Sequence, residues 1–179
     1  MRSIGMDEYK INFETDNGLK LSFHVGDSSV DVAFLLTTLP SFLCKEKNQE
    51  VVEKRASFTC RGKEKKIFVE QLIEAAVGEA IMDIDASDIA SAFDKIENGF
   101  FCSIKTSMNN CEKDIEKIKL IIGKYRIVLC RLEGDISSPE FNTITEKMIG
   151  DTSDDVLVNW SDNSDYEESQ VRISVWSEA

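Results

Sequence analysis

Apolar and polar positions alternate along residues 9–25, "YKINFETDNGLKLSFHV", on both sides of Asp16-Asn17-Gly18. Alternation places successive side chains on opposite faces of a strand, and Asn-Gly supplies the positive φ angles of a tight turn, so the stretch predicts a β-hairpin. "SVDVAFLL" (29–36) predicts a further strand, with the opening of a short helix as the alternative. Between Lys45 and Lys66 eight Lys or Arg stand against four Glu, the only net-basic part of the chain. That segment predicts a solvated helix or loop with a short strand at "ASFTC".

From residue 67 the period becomes helical. Val69, Leu72, Ile73, Ala76, Val77, Ala80 and Ile81 recur every three or four positions and predict one long helix ending near Met82. Ile89, Ala92, Phe93 and Ile96 repeat the pattern up to Asn98-Gly99, a helix-stop signal. "FFCSI" (100–104) predicts a buried strand. Ser107 or Asn109 opens the next helix, with Cys111, Ile115, Ile118 and Ile122 on one side and Gly123 closing it. "RIVLCRL" (126–132) predicts a strand, and "SSPEF" a helix start, because Ser137 and Glu140 have capping-box spacing and Pro139 suits the first turn. Phe141, Ile144 and Met148 give that helix its face and Gly150 its stop. Strands at 155–160 and 170–176 finish the chain, joined by the loop "SDNSDYEES". The order predicts an α/β fold, a helix-covered mixed sheet of at least four strands, preceded by an N-terminal β-hairpin region. Residues 1–66 form the hairpin, strand and charged region, and 67–179 the α/β domain.

Composition narrows the function. A chain of 179 residues with 42 % hydrophobic content can bury an ordinary core. Its net charge of -12 repels phosphate backbones and anionic lipid, which argues against nucleic-acid and membrane partners and favours a basic protein or simple solubility. The N-terminus has no apolar leader, and no run approaches the roughly 18 apolar residues of a membrane span. Five scattered cysteines (Cys44, Cys60, Cys102, Cys111, Cys130) contain no C-x-x-C pair and have one histidine, His24, for company. No metal site is expected from them, and Cys102, Cys111 and Cys130 fall on apolar faces, which suits a reducing cytoplasm. The nine glycines are dispersed, so no loop can wrap a phosphate with backbone N–H groups, and no cofactor is expected. His24 lies mid-strand, where it reads as a packed or half-exposed residue rather than a catalytic base.

What remains is "IMDIDASDIASAF", with Asp83, Asp85 and Asp88 at a helix start. Asp85 or Ser87 fits a helix cap, with Asp88 in the first turn facing the positive end of the helix dipole. A calcium loop is disfavoured, since the run lacks its glycine and distal glutamate.

The segment resembles the acidic loop and following helix of FtsZ, the bacterial tubulin-like GTPase, whose pattern there is close to L-I-N-x-D-F-A-D-V. Ile81, Asp85, Asp88 and Ile89 match, while Asp83 stands in place of asparagine and Ala86 in place of phenylalanine. The likeness continues in order through "NGFFCSIKTSMNNCEKDIEKIKLII", "RIVLCRLEGDISSPEFNTITEKMI" and "DDVLVNWSDNSDYEESQVRISVW", in which Val171, Arg172, Ile173 and Val175 match a V-R-V-x-V pattern. It covers about residues 67–176 and implies the C-terminal domain of that family. The family's GTP-binding domain, with its G-G-G-T-G-T-G loop, has no counterpart in the first 66 residues. In FtsZ the acidic loop reaches the nucleotide of a neighbouring subunit. The resemblance therefore implies a non-enzymatic module that offers Asp83, Asp85 and Asp88 to a tubulin-like partner. A rival expectation is an acidic inhibitor or immunity protein whose loop Asp162, Asp165, Glu167 and Glu168 neutralises a basic toxin or nuclease.

Overall fold

The computed structural model describes residues 8–15, 19–37, 51–150 and 155–179. Four strands lead: β1 (Tyr9–Glu14), β2 (Lys20–Val25), β3 (Ser29–Thr37) and β4 (Val51–Thr59). Helices α1 (Glu64–Val77) and α2 (Ala86–Phe93) follow, then β5 (Ile96–Ser107), α3 (Met108–Ile122), β6 (Arg126–Gly134), α4 (Ser138–Ile149), β7 (Leu157–Ser161) and β8 (Gln170–Glu178). All eight strands join one mixed sheet in the order β1-β2-β3-β4-β5-β8-β6-β7. The first four form an antiparallel meander, and β4 meets β5 in parallel, the crossover between them carrying α1 and α2. β8 inserts antiparallel between β5 and β6, and β7 lies parallel to β6 at the edge.

The alternation that predicted the strands also selects the face they bury. Leu21, Phe23 and Val25 of β2, Val30, Val32 and Phe34 of β3, and Ala56 and Phe58 of β4 all turn inward. They meet Phe68, Val69, Leu72 and Ala75 of α1 and Ile89, Ala90 and Phe93 of α2 in one cluster. Phe68 sits at its centre, its ring 6.5 Å from Phe23, 5.4 Å from Phe58, 5.1 Å from Phe101 and 5.9 Å from Trp176. A second cluster fills the opposite face at the other end of the sheet. There Cys102, Cys130, Leu132, Val171, Ile173 and Val175 pack under Cys111, Ile115, Ile118 and Ile122 of α3 and Phe141, Ile144 and Met148 of α4. Covered on both faces, β6 and β8 are buried almost throughout. The other face of the meander carries Ser22, His24, Asp31 and Arg55 around a shallow hollow of ≈ 770 Å³. His24 is half-exposed there, 3.4 Å from Glu8 and 3.8 Å from Asp31. No helix among the described residues is long and apolar enough to cross a membrane.

Several local expectations are corrected. The charged segment before residue 66 holds no solvated helix among its described residues up to Arg61. It is strand from Val51, because pairing with β3 satisfies its backbone while Glu53 and Arg55 stay exposed. α1 stops at Val77, not near Met82; Gly78 turns extended, at φ -72° and ψ 157°. Ile81 and Met82 then donate their backbone N–H groups to Trp160 O at 2.7 and 3.0 Å, and Met82 O accepts from Trp160 N–H at 3.1 Å. The pattern continues past Val77, but the backbone leaves the helix for the β7 edge. α2 ends at Phe93, and Ile96 opens β5 rather than closing a helix. Asn98-Gly99 lies inside that strand, where a side chain on Gly99 would come within 2.3 Å of Cδ1 of Phe58. The last parallel strand starts at Leu157, two residues later than expected. The turn at Asp16-Asn17-Gly18 and the thiol of Cys44 lie outside the described residues, but β1 and β2 pair as a hairpin. α3 and α4 have the predicted faces, and Ser137 donates both its backbone N–H (2.7 Å) and its hydroxyl (2.8 Å) to Glu140.

Because Phe68 touches rings from β2, β4, β5 and β8, replacing it by alanine is expected to cost about 3–5 kcal/mol. A fall in the urea midpoint at unchanged slope would register that loss.

Candidate functional site

The acidic loop begins where α1 releases the chain. Met82 is bridged to Trp160, and Asn159 Nδ2 donates to Met82 O at 3.0 Å, so the loop is hung from the β7 edge. Ile84 turns back into the aromatic cluster, which anchors the middle of the loop. Between these two anchors the acids are left outside. Asp83 Oδ1 accepts from Ile84 N–H at 2.9 Å, and Asp85 Oδ1 accepts from Ser87 N–H at 2.8 Å. Asp85 is thus the N-cap of α2, and Asp88 sits in its first turn. The Ser87 backbone N–H favours the ionised carboxyl of Asp85 and holds it below the usual carboxylate range. All three aspartates are exposed. They do not converge: among the described residues no group of three or more His, Cys, Asp or Glu is placed to hold a metal ion.

Beside the acids lies an apolar surface. Val77 (40 % exposed), Ile81 (60 %) and Met82 (42 %) are large hydrophobic side chains left open to solvent. Val77, Asp83 and Asp85 also line a cleft of ≈ 720 Å³ whose far wall is Phe13, Glu14 and Leu19 of the β1–β2 hairpin.

The second predicted acidic element, the β7–β8 loop, leaves Asp162, Asp165, Glu167 and Glu168 exposed as well. Its other residues moor it. Asn163 Nδ2 donates to Glu133 Oε1 at 2.9 Å, the Tyr166 hydroxyl donates to Glu133 Oε2 at 3.2 Å, and Ser169 N–H donates to Asp135 O at 2.8 Å. The two acidic elements flank the same sheet edge without sharing a site. Among the described residues the thiols are poor nucleophiles: burial pushes that of Cys102 up to about 11 and that of Cys130 to about 12, and raises Cys60 and Cys111 as well.

Sequence reading missed the polar residues that hold this end together. Arg131 is 1 % exposed, and its guanidinium donates to Gln71 Oε1 at 3.2 Å, to Ser161 Oγ at 2.9 Å and to Asn159 Oδ1. All three acceptors are neutral. Burial lowers the affinity of Arg131 for its proton, and the fields of Glu133 and Glu74 oppose that shift. Gln71 Nε2 in turn donates to Glu133 Oε2 at 2.7 Å, linking α1 to the carboxylate that moors the β7–β8 loop. The signal that could have revealed it is a charged residue at the centre of an otherwise apolar strand, since buried charge demands partners.

No protein-family model and no curated protein sequence matches the chain. The solved structures do. A point mutant of FtsZ from M. jannaschii superimposes with a TM-score of 0.53 over 65 % of this chain. The fold is FtsZ-like. Identity in that comparison is 12 %, and only 38 % of the FtsZ chain is covered. An empty FtsZ dimer from the same organism gives a TM-score of 0.50 at 13 % identity, over 62 % of this chain and 35 % of FtsZ. This chain therefore spans little more than a third of the FtsZ chains it resembles, and the likeness is one of fold. It agrees with the order of strands and helices from which the resemblance to the FtsZ C-terminal domain was read.

Expected outcomes follow from the hydrogen bonds of the acidic loop and of the buried arginine beside it. Asp85→Ala is expected to destabilise by about 0.5–2 kcal/mol at neutral pH, and Asp85→Ser, which keeps a capping oxygen, far less. Since the folded carboxyl of Asp85 titrates below its unfolded value, its contribution is present above the unfolded pKa and fades as pH falls through the folded one. Thermal melts across acidic pH should therefore show wild type and Asp85→Ala converging. Asn159→Leu removes an acceptor from the buried Arg131 and is expected to cost about 1.5–3 kcal/mol by chemical denaturation.

Proposed function

We propose that this protein is a non-enzymatic FtsZ-like interaction module that engages a tubulin-like, filament-forming GTPase through the face bearing Asp83, Asp85 and Asp88. The observation that carries this reading is the apolar trio Val77, Ile81 and Met82, solvent-exposed beside those three carboxylates. An apolar centre with a polar rim is the anatomy of a protein interface. Backbone ties at Met82 and the Asp85 cap hold the loop in shape before any partner arrives, which lowers the ordering cost of binding. Dispersed glycines and buried, poorly acidic thiols support a binding role over a catalytic one. Four buried free cysteines also suit a reducing, cytoplasmic setting. A module that offers one assembly face would bind a filament end and stop its growth.

Co-sedimentation with a filament-forming GTPase tests the reading. Wild type is expected to pellet with the filaments. Ile81→Asp, and separately Asp83→Asn with Asp85→Ser and Asp88→Asn, should each weaken binding by about tenfold, the effect of losing one interface anchor. Absence of co-pelleting, or indifference to both sets, would remove it.

A second reading is favoured by the mooring of the β7–β8 loop, which presents Asp162, Asp165, Glu167 and Glu168 on a preorganised backbone. Such a loop on a chain of net charge -12 suits an acidic inhibitor of a basic toxin. Steep loss of binding to a basic protein with added salt would identify that role instead.

A further inference from the structure

β1 closes one end of the sheet, and no strand lies on its outer side among the described residues. The other end is treated differently, for Ile81 and Met82 occupy part of the β7 edge. Which β1 groups face outward follows from the hairpin. Thr15 N–H donates to Leu19 O at 2.9 Å, continuing the register that sets Glu14 opposite Lys20. Alternation along an antiparallel ladder then turns the main chain of Phe13, Ile11 and Tyr9 towards β2 and that of Lys10, Asn12 and Glu14 away from it. The next ladder agrees: Gly26 N–H donates to Ser29 O, so Val25 faces β1.

Side chains divide in the same rhythm. Tyr9, Ile11 and Phe13 lie on the face of the aromatic cluster; Ile11 and Phe13 are partly buried against it, and Tyr9 is 45 % exposed. Lys10, Asn12 and Glu14 lie exposed on the other face. The pairing of β1 with β2 runs from Tyr9 to Glu14 without a bulge, and the strand contains no proline. Bulges, prolines and charged side chains are the usual devices that keep such an edge from pairing, and of these β1 carries only the charges of Lys10 and Glu14, which are opposite in sign.

We propose that β1 is a self-association edge, pairing antiparallel with β1 of a second copy about a two-fold axis through Asn12. An axis normal to the sheet keeps each side chain on its own face, so only residues of like parity can stand opposite one another. Centred on Asn12, the outward main-chain groups meet as hydrogen-bonded pairs. Lys10 then stands opposite the partner's Glu14, and Ile11 opposite the partner's Phe13. Both contacts occur twice by symmetry. Glu14 already has Lys20 at 3.4 Å on its inner side, so its carboxylate would sit between two ammonium groups. Centring on Ile11 instead would set Glu8 against the partner's Glu14 and leave Lys10 opposite an amide. Charge complementarity therefore selects both the occupant, a second copy of this chain, and its register. The inference is independent of any filament partner, because it needs only the purified protein.

Sedimentation velocity over a concentration series reads it directly, with circular dichroism melts confirming that each variant is folded. Wild type is expected to show a reversible monomer–dimer equilibrium. Lys10→Glu should raise the dissociation constant by about tenfold, since attraction becomes like-charge repulsion at two symmetric contacts. Adding Glu14→Lys to Lys10→Glu should restore dimerisation. Asn12→Pro, which removes the central outward N–H, should leave monomer only. A wild type that stays monomeric throughout, or a dimer unmoved by Lys10→Glu and Asn12→Pro, overturns the proposal. So does failure of the double exchange to restore what Lys10→Glu removes.

Discussion

The seat of α1 on the sheet is the contact on which the rest depends. Phe68 brings together rings from β2, β4, β5 and β8, strands far apart in the chain, and one turn later Gln71 receives the buried guanidinium of Arg131. The first contact is apolar and non-directional, and it supplies the larger share of the stabilisation. The second is polar and directional, so it sets the angle of the helix over β6 and β8. With both in place the C-terminus of α1 can lie in only one direction. The chain therefore leaves Gly78 towards the edge of β7.

That exit shapes the acidic loop. Met82 is tied to Trp160, Ile84 is drawn into the core, and Asp85 caps α2, so the loop is bounded by three separate forces within four residues. Asp83 and Asp85 lie on the surface because Ile84 between them is held inward. The same geometry leaves Val77, Ile81 and Met82 exposed to solvent. A helix cap and an exposed apolar surface thus come from one stretch of backbone. The FtsZ-like order of elements positions that stretch at the rim of the sheet, beside the hairpin.

Much of the C-terminal half was legible because its signals are local. α3 and α4 carry serine at their starts, glycine at their ends and one apolar face between, and each of these works within a turn or two of chain. The errors occurred where a distant partner competed with a local preference. The helical pattern through Ala80 and Ile81 was overruled by the unpaired edge of β7. Asn98-Gly99 carried a stop signal, but pairing with β8 and the ring of Phe58 made it strand. Asp85 was one of two cap candidates beside Ser87, and the structure selects it, while Asp88 sits in the first turn as expected; capping is legible because it is a contact between residues two or three apart. Arg131 escaped notice because its acceptors lie 28, 30 and 60 residues away.

By itself the amino-acid sequence determined which segments are strands and helices over most of the chain, which face of each is apolar, and the absence of a glycine-rich phosphate cradle. These follow from side-chain periodicity and from backbone preferences that act over a few residues. Only the tertiary structure decided that the N-terminal meander shares a sheet with the α/β half, through the parallel ladder of β4 with β5. It also decided that α1 stops short, and that β1 has no strand on its outer side among the described residues. Those outcomes depend on which backbone groups find partners across long separations, and no local pattern of residues encodes that pairing.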